Sequence, residues 1–317
     1  MPKKTSFTQQ VKEELSLIEE RPIQQIRALL SAYIRINGHF QISDKSSSIV
    51  LQTENAKVAR YIYSLIKNTF NCDIHFDYVK NKKLNKTTSY KMIISSQVDE
   101  ILDELNVSFL EGKISKEIVY DDETIASYLC GAFLASGSVN SPHNSNYHLE
   151  ICLNDENYAK WMSHLFARYK NSDFEPKVTK RRESYVLYLK KSDKIADFLI
   201  MIGAVDSCME FENIRVDRDF MNTANRLSNF DMANMERTVK VAKEQVKWIK
   251  LIDKKLGVKN IANQKVRMVC QYRLENESLS MQDIADRLSE GLEKPISKSA
   301  VARLFVKIRN LYEKLSV

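Results

Sequence analysis

A repeat constrains this chain more than any other feature. Leu29-Leu30-Ser31-Ala32-Tyr33-Ile34-Arg35-Ile36-Asn37-Gly38 reads as a helix rich in small residues that stops at glycine. Leu129-Cys130-Gly131-Ala132-Phe133-Leu134-Ala135-Ser136-Gly137 follows the same plan about a hundred residues on. After each comes an alternating stretch that reads as a hairpin, HFQISDKSSSIVLQT in the first copy and SVNSPHNSNYHLEICLN in the second. An amphipathic helix follows, opened by Glu54-Asn55 and by Glu156-Asn157. A second, basic hairpin then spans 73–95 and 174–190, and short helices near Val98–Leu105 and Asp193–Ile202 close the copies. Helix–hairpin–helix–hairpin–helix written twice defines an α+β protein and excludes all-helical and doubly wound folds. Ser31, Ala32, Gly131, Ala132 and Ala135 are too small to hold two helices apart, so the repeated helices are expected to pair with close backbones. The final glycine of each is expected to supply a left-handed stop. Pairing sets two four-stranded surfaces side by side as a saddle.

What accompanies this frame narrows the chemistry. No apolar run approaches the roughly 18 residues of a membrane span, and MPKKTSFTQQ lacks a signal-peptide core. A soluble, cytoplasmic chain is therefore expected. Cys72, Cys130, Cys152, Cys208 and Cys270 are scattered without a C-x-x-C pair, which argues for reduced thiols rather than disulfides or zinc. With seven glycines and neither G-x-G-x-x-G nor G-x-x-x-x-G-K, no nucleotide cofactor is expected, and no small-molecule substrate is evident.

The net charge of +7 is concentrated. Residues 254–317 hold 13 basic and 7 acidic side chains. The first copy's second hairpin carries Lys80, Lys82, Lys83, Lys86 and Lys91, and its counterpart carries Lys177, Lys180, Arg181, Arg182, Lys190, Lys191 and Lys194. Basic stretches at equivalent places of a repeat, together with a basic tail, point to a polyanion, and double-stranded DNA is the natural partner. Lys80, Lys82, Lys83, Lys180, Arg181 and Arg182 are the candidate additional contacts on the hairpins.

After about Phe211 the pattern is helical throughout. Asp217–Phe230 is polar, and its Asn222, Asn225, Arg226 and Asn229 either satisfy one another at a domain junction or contact phosphate. Ala233–Leu256 reads as a long amphipathic packing helix with Met235, Val239, Ala242, Val246 and Ile249 at helical spacing. Three short helices follow from Gln264. The first is NQKVRMVCQYRLEN, and the second is SMQDIADRL with Ser280 and Asp283 at capping-box spacing. Gly291 and Pro295 interrupt the chain before the third, which Ser297 caps. Its inward face is Val301, Leu304, Phe305, Ile308 and Leu311, and its other face shows Ser297, Lys298, Ser299, Arg303 and Lys307. Hydroxyls and cations at a helix start are what a recognition helix presents to a major groove. The expected division is an N-terminal helix (1–22), two repeats (23–122 and 123–210), a helical linker (211–258) and a helix-turn-helix domain (259–317).

The segments Leu30–Gly38 and Leu129–Gly137 resemble the paired motif of LAGLIDADG homing endonucleases. That resemblance implies an αββαββα unit whose curved sheet lies in a DNA groove, with the last acidic residue of each motif binding a divalent metal. Here those positions are Asn37 and Ser136, so no metal and no catalytic residue is expected. Asp44, Glu150 and Asp155 lie nearby in sequence but fall on the hairpins. With SFTQQVKEEL, NRLSNFDMANMERTVKVAKEQV and SLSMQDIADRLSEGLEKPISKSAVARLFVKI, the whole chain resembles the WhiA family. The resemblance implies a catalytically silent LAGLIDADG-like domain joined to a helix-turn-helix, in bacterial, nucleoid-associated regulators of cell division and chromosome segregation. The expectation is a non-enzymatic, sequence-specific DNA-binding regulator. The duplicated domain is left as a surface for protein partners. The alternatives are an active metal-dependent nuclease and an RNA-binding or scaffolding protein.

Overall fold

The computed structural model describes residues 5–43, 46–80, 88–109, 117–290 and 295–316. The first repeat runs α2 (Ile23–Asn37), β1 (His39–Ser43), β2 (Ser46–Thr53), α3 (Ala56–Phe70), β3 (Ile74–Lys80), β4 (Thr88–Ile94) and α4 (Val98–Glu104), preceded by α1 (Phe7–Leu15). The second runs α5 (Asp122–Ser136), β5 (Gly137–Val139), β6 (Leu149–Leu153), α6 (Glu156–Arg168), β7 (Lys177–Arg181), β8 (Ser184–Leu189) and α7 (Ser192–Ile202). The strands form two antiparallel sheets of identical order, β1-β2-β4-β3 and β5-β6-β8-β7. The chain is therefore α+β, built from a duplicated αββαββα unit.

α2 and α5 pack along each other in the core, with Leu29, Leu30, Ile34, Leu129, Phe133 and Leu134 buried. Their approach is close enough that a Cβ on Gly131 would stand 2.1 Å from the carbonyl oxygen of Leu29. The terminal glycines behave differently from the expectation. Gly38 (φ −74°, ψ 138°) and Gly137 (φ −71°, ψ 147°) are extended, not left-handed. Each helix passes straight into a strand, and the turn is so tight that a Cβ on Gly38 would meet the Ile34 carbonyl oxygen at 2.4 Å. Steric room, rather than a positive φ, selects glycine there.

The helices after the first hairpins also shift the alignment of the copies. Asn55 caps α3, its side chain accepting from Lys57 and Val58 N–H. The corresponding cap of α6 is Asp155, which accepts from Tyr158 N–H, so Glu156-Asn157 lies inside the helix. Cap chemistry, not dipeptide identity, marks the equivalent place.

α1 opens with a Ser6–Gln9 capping box and buries Phe7, Val11 and Leu15. The Thr8 hydroxyl accepts from Val139 N–H and donates to the Val139 carbonyl, both at 2.9 Å, which closes the edge of β5.

α8 (Val205–Lys255) is one helix of 51 residues. The segment Asp217–Phe230 lies within it, Ala233–Leu256 does so up to Lys255, and the expected 210/211 boundary falls inside it as well. Nothing between Val205 and Lys255 is Gly or Pro, so no residue forces a stop. The Glu14 carboxylate accepts from Asp206 and Ser207 N–H at 2.7 and 2.9 Å, capping the start. The chain divides into two compact units, 1–218 and 219–317. The second contains the C-terminal part of α8 with α9 (Gln264–Glu275), α10 (Met281–Glu290) and α11 (Lys298–Ser316). Ile249, Ile252, Val269, Ile284, Val301 and Ile308 center its separate core. No described helix is long and apolar enough to cross a membrane.

Candidate nucleic-acid interface

α10 starts with a reciprocal cap. Asp283 N–H donates to Ser280 Oγ (3.1 Å), and Ser280 N–H donates to the Asp283 carboxylate (2.8 Å). These bonds hold the Asp283 carboxyl below its ordinary value. α11 starts at Ser297, whose Oγ accepts from Ala300 N–H (3.3 Å) and lies 2.9 Å from Ser299 Oγ. Apolar residues at helical spacing decide which way α11 faces. Val301, Leu304, Phe305 and Ile308 are buried, while Ser297, Lys298, Ser299, Arg303 and Lys307 are exposed. Met281 and Gln282 of α10 line a shallow groove with Ser297, Lys298, Ser299 and Ala302. Among the described residues none forms an ion pair with Lys298, Arg303 or Lys307, whereas Arg309 is held by Glu313 at 2.9 Å. Three cations thus stand beside hydroxyls and helix-start amides, an arrangement suited to phosphate and base edges.

Arg273 sets the geometry behind this surface. Its guanidinium is buried, donates to Gln245 Oε1 (3.1 Å) and to the Glu277 and Leu279 carbonyls, and stacks over Phe305. It ties α8, the α9–α10 corner and α11 into one block. An arginine in a helix otherwise reads as exposed; only its place among apolar neighbors at helical spacing hints at burial.

The first unit assembles less of its expected surface. Alternation along β7 turns Lys180 and Arg181 to opposite faces of the sheet. Arg181 donates two bonds to Glu150 at 3.1 and 2.9 Å, and His148 lies 2.9 Å from the same carboxylate. Burial pushes the Glu150 carboxyl up, but bonds from Arg181 and His148 outweigh it and hold it below its ordinary value. Lys180 sits over the Tyr185 ring, and Arg182 occupies the turn at φ 57°. Lys80 ends β3, while Lys82, Lys83 and Asp44 lie outside the described residues. Arg181 is therefore an internal partner rather than a spare cation, a pairing across strands that no local pattern announces.

The two helix ends carry parallel substitutions. The Asn37 amide donates to the Gln52 carbonyl and accepts from Gln52 N–H, both at 2.8 Å. Ser136 Oγ donates to the Cys152 carbonyl at 2.7 Å. Gln52 on β2 and Cys152 on β6 occupy equivalent strands, so each helix is pinned to its own sheet at the same point. Of the nearby acids, Glu150 is paired and Asp155 is a helix cap. Among the described residues, no three His, Cys, Asp or Glu side chains converge. Asn37→Asp exchanges a donor for a second acceptor facing the Gln52 carbonyl. It is expected to lower the stability of the first unit by about 0.5–1.5 kcal/mol in denaturant titration, and an unchanged midpoint would count against the pin.

Paired small-residue helices, twin β1-β2-β4-β3-type sheets and an exposed cationic helix start define a class. It is a LAGLIDADG-like scaffold fused to a helix-turn-helix. Profiles for the WhiA N-terminal LAGLIDADG-like domain, the WhiA LAGLIDADG-like domain and the WhiA C-terminal HTH domain match residues 24–108, 125–221 and 224–312. A protein of Staphylococcus aureus (strain USA300) named "Probable cell division protein WhiA" is 39% identical over 313 residues, covering 98% of this chain and 97% of the relative. Full-length WhiA from Thermatoga maritima shares the fold with a TM-score of 0.61 at 24% identity, over 98% of this chain and 99% of that one. The isolated N-terminal LAGLIDADG domain of a WhiA protein aligns with a TM-score of 0.51 at 22% identity, covering 63% of this chain and 91% of that one. The chain belongs to the WhiA family.

Proposed function

We propose that this protein is a non-enzymatic, sequence-specific regulator that binds double-stranded DNA through α11 and acts at the nucleoid. The observation that carries the reading is the exposed group Lys298, Arg303 and Lys307 beside Ser297 and Ser299, backed by a separate apolar core. Nothing in that group is consumed by an internal ion pair among the described residues. The family name borne by the Staphylococcus aureus relative supports a place in cell division, and chromosome segregation is part of the same proposal. The LAGLIDADG-like domain serves as scaffold and as a surface for protein partners. Its two helix ends offer an amide and a hydroxyl already committed to strand carbonyls, which is the ground for reading it as non-cleaving.

The test is duplex binding as a function of salt. With about six phosphates neutralized, affinity falls roughly a thousandfold between about 50 and 200 mM salt. Arg303→Ala costs about 1–3 kcal/mol on the preferred sequence alone if the guanidinium reads a base edge. An equal loss on every sequence would assign it to phosphate. Salt-insensitive binding, or nicking of supercoiled DNA with Mg²⁺, would sink the reading.

A further inference from the structure

Between the part of α8 that enters the second core and residue 219, the helix keeps an apolar seam that nothing in this unit covers. Phe220 is 71% exposed, Leu227 and Phe230 63% each, and Val241 41%. A solvated helix does not normally present two phenylalanines and a leucine at such exposure. Met221, Met232 and Met235 are exposed on other faces of the helix, but the two phenylalanines, Leu227 and Val241 share one. Phe220, Thr223, Leu227, Phe230, Asn234, Arg237 and Val241 follow one another at spacings of three and four, the seam of a two-helix coiled coil.

The residues on this seam discriminate between ways of covering it. In a parallel pair each seam residue faces itself, so Arg237 would meet a second Arg237 in the desolvated interface. In an antiparallel pair the layers become Leu227 against Phe230, Thr223 against Asn234, and Phe220 against Arg237, each occurring twice. A hydroxyl then faces an amide, and a guanidinium faces an aromatic ring. One flanking pair agrees. Asp219 of one helix falls beside Lys240 of the other, again twice. The sequence is thus complementary to its own reversal in the core and at the rim.

We propose that a second copy of this chain covers the seam, the two α8 segments pairing antiparallel about a center between Leu227 and Phe230. The apolar and aromatic side chains of both copies bury on the order of 1,000 Å². That is the lower bound for a specific interface, so the dimer is reversible and depends on concentration. The arrangement uses none of the α11 cations, and its test needs no DNA.

Sedimentation of the full-length protein over a concentration series reads the proposal directly. A monomer–dimer equilibrium is expected, and Leu227→Asp abolishes it. Lys240→Asp and Asp219→Lys each weaken it about tenfold, because the affected pair occurs twice. The double variant Asp219→Lys/Lys240→Asp restores it. All these positions lie on a solvated helix, and circular dichroism distinguishes lost pairing from lost helix. A chain that stays monomeric throughout, or a dimer indifferent to Leu227→Asp, overturns the proposal. Weakening by both single variants without recovery in the double variant overturns the antiparallel register.

Discussion

Gly131→Ala is expected to lower the stability of the first unit by about 3 kcal/mol, seen as a fall of about 10 °C in its thermal transition. The added methyl would stand 2.1 Å from the Leu29 carbonyl oxygen, and the next nearest atoms, at 2.9 and 3.0 Å, are also Leu29 backbone. No side chain can rotate away, so relief requires α2 and α5 to separate. Separation loosens the apolar contacts on either side of the crossing, among them Leu30, Ile34, Leu134 and Ala132, all buried. Interiors resist such expansion because they are already close-packed. Differential scanning calorimetry checks the value, and an unaltered transition would mean that the helices do not approach as described.

A second large effect is expected from Lys298→Ala, Arg303→Ala and Lys307→Ala combined. Each side chain is exposed and alanine favors helix, so stability should stay within about 0.5 kcal/mol of the parent. DNA affinity should not. Near 0.1 M salt, counterion release makes each neutralized phosphate worth about tenfold, so three lost cations reduce affinity by about a thousandfold. The slope of log affinity against log salt should flatten by about three. Fluorescence anisotropy across a salt series measures both quantities. A triple variant that binds with the parent slope would place the interface elsewhere.

The order of elements was legible because it rests on periodicity. Hairpins alternate, helices recur at three and four, and the repeat allowed each copy to check the other. The inward face of α11 followed from the same spacing. What escaped depends on contacts distant in sequence. Thr8 closes the edge of β5 across 131 residues, and Glu14 caps α8 across 192. Neither residue belongs to a local motif. Arg181 looked like a surface cation because Glu150, its partner, lies on another strand. The glycines were assigned the right role of ending helices for the wrong reason, since clash with the preceding turn cannot be seen without coordinates. The length of α8 was hidden by a change in polarity, which alters what a helix faces without interrupting its backbone.

The strand-pinning bonds of Asn37 and Ser136 carry a mechanical consequence. Each ties the last turn of a core helix to the neighboring strand of its own sheet, Asn37 to Gln52 and Ser136 to Cys152. A displacement of either helix end is therefore passed on to β2 or β6 instead of being absorbed in a connecting loop.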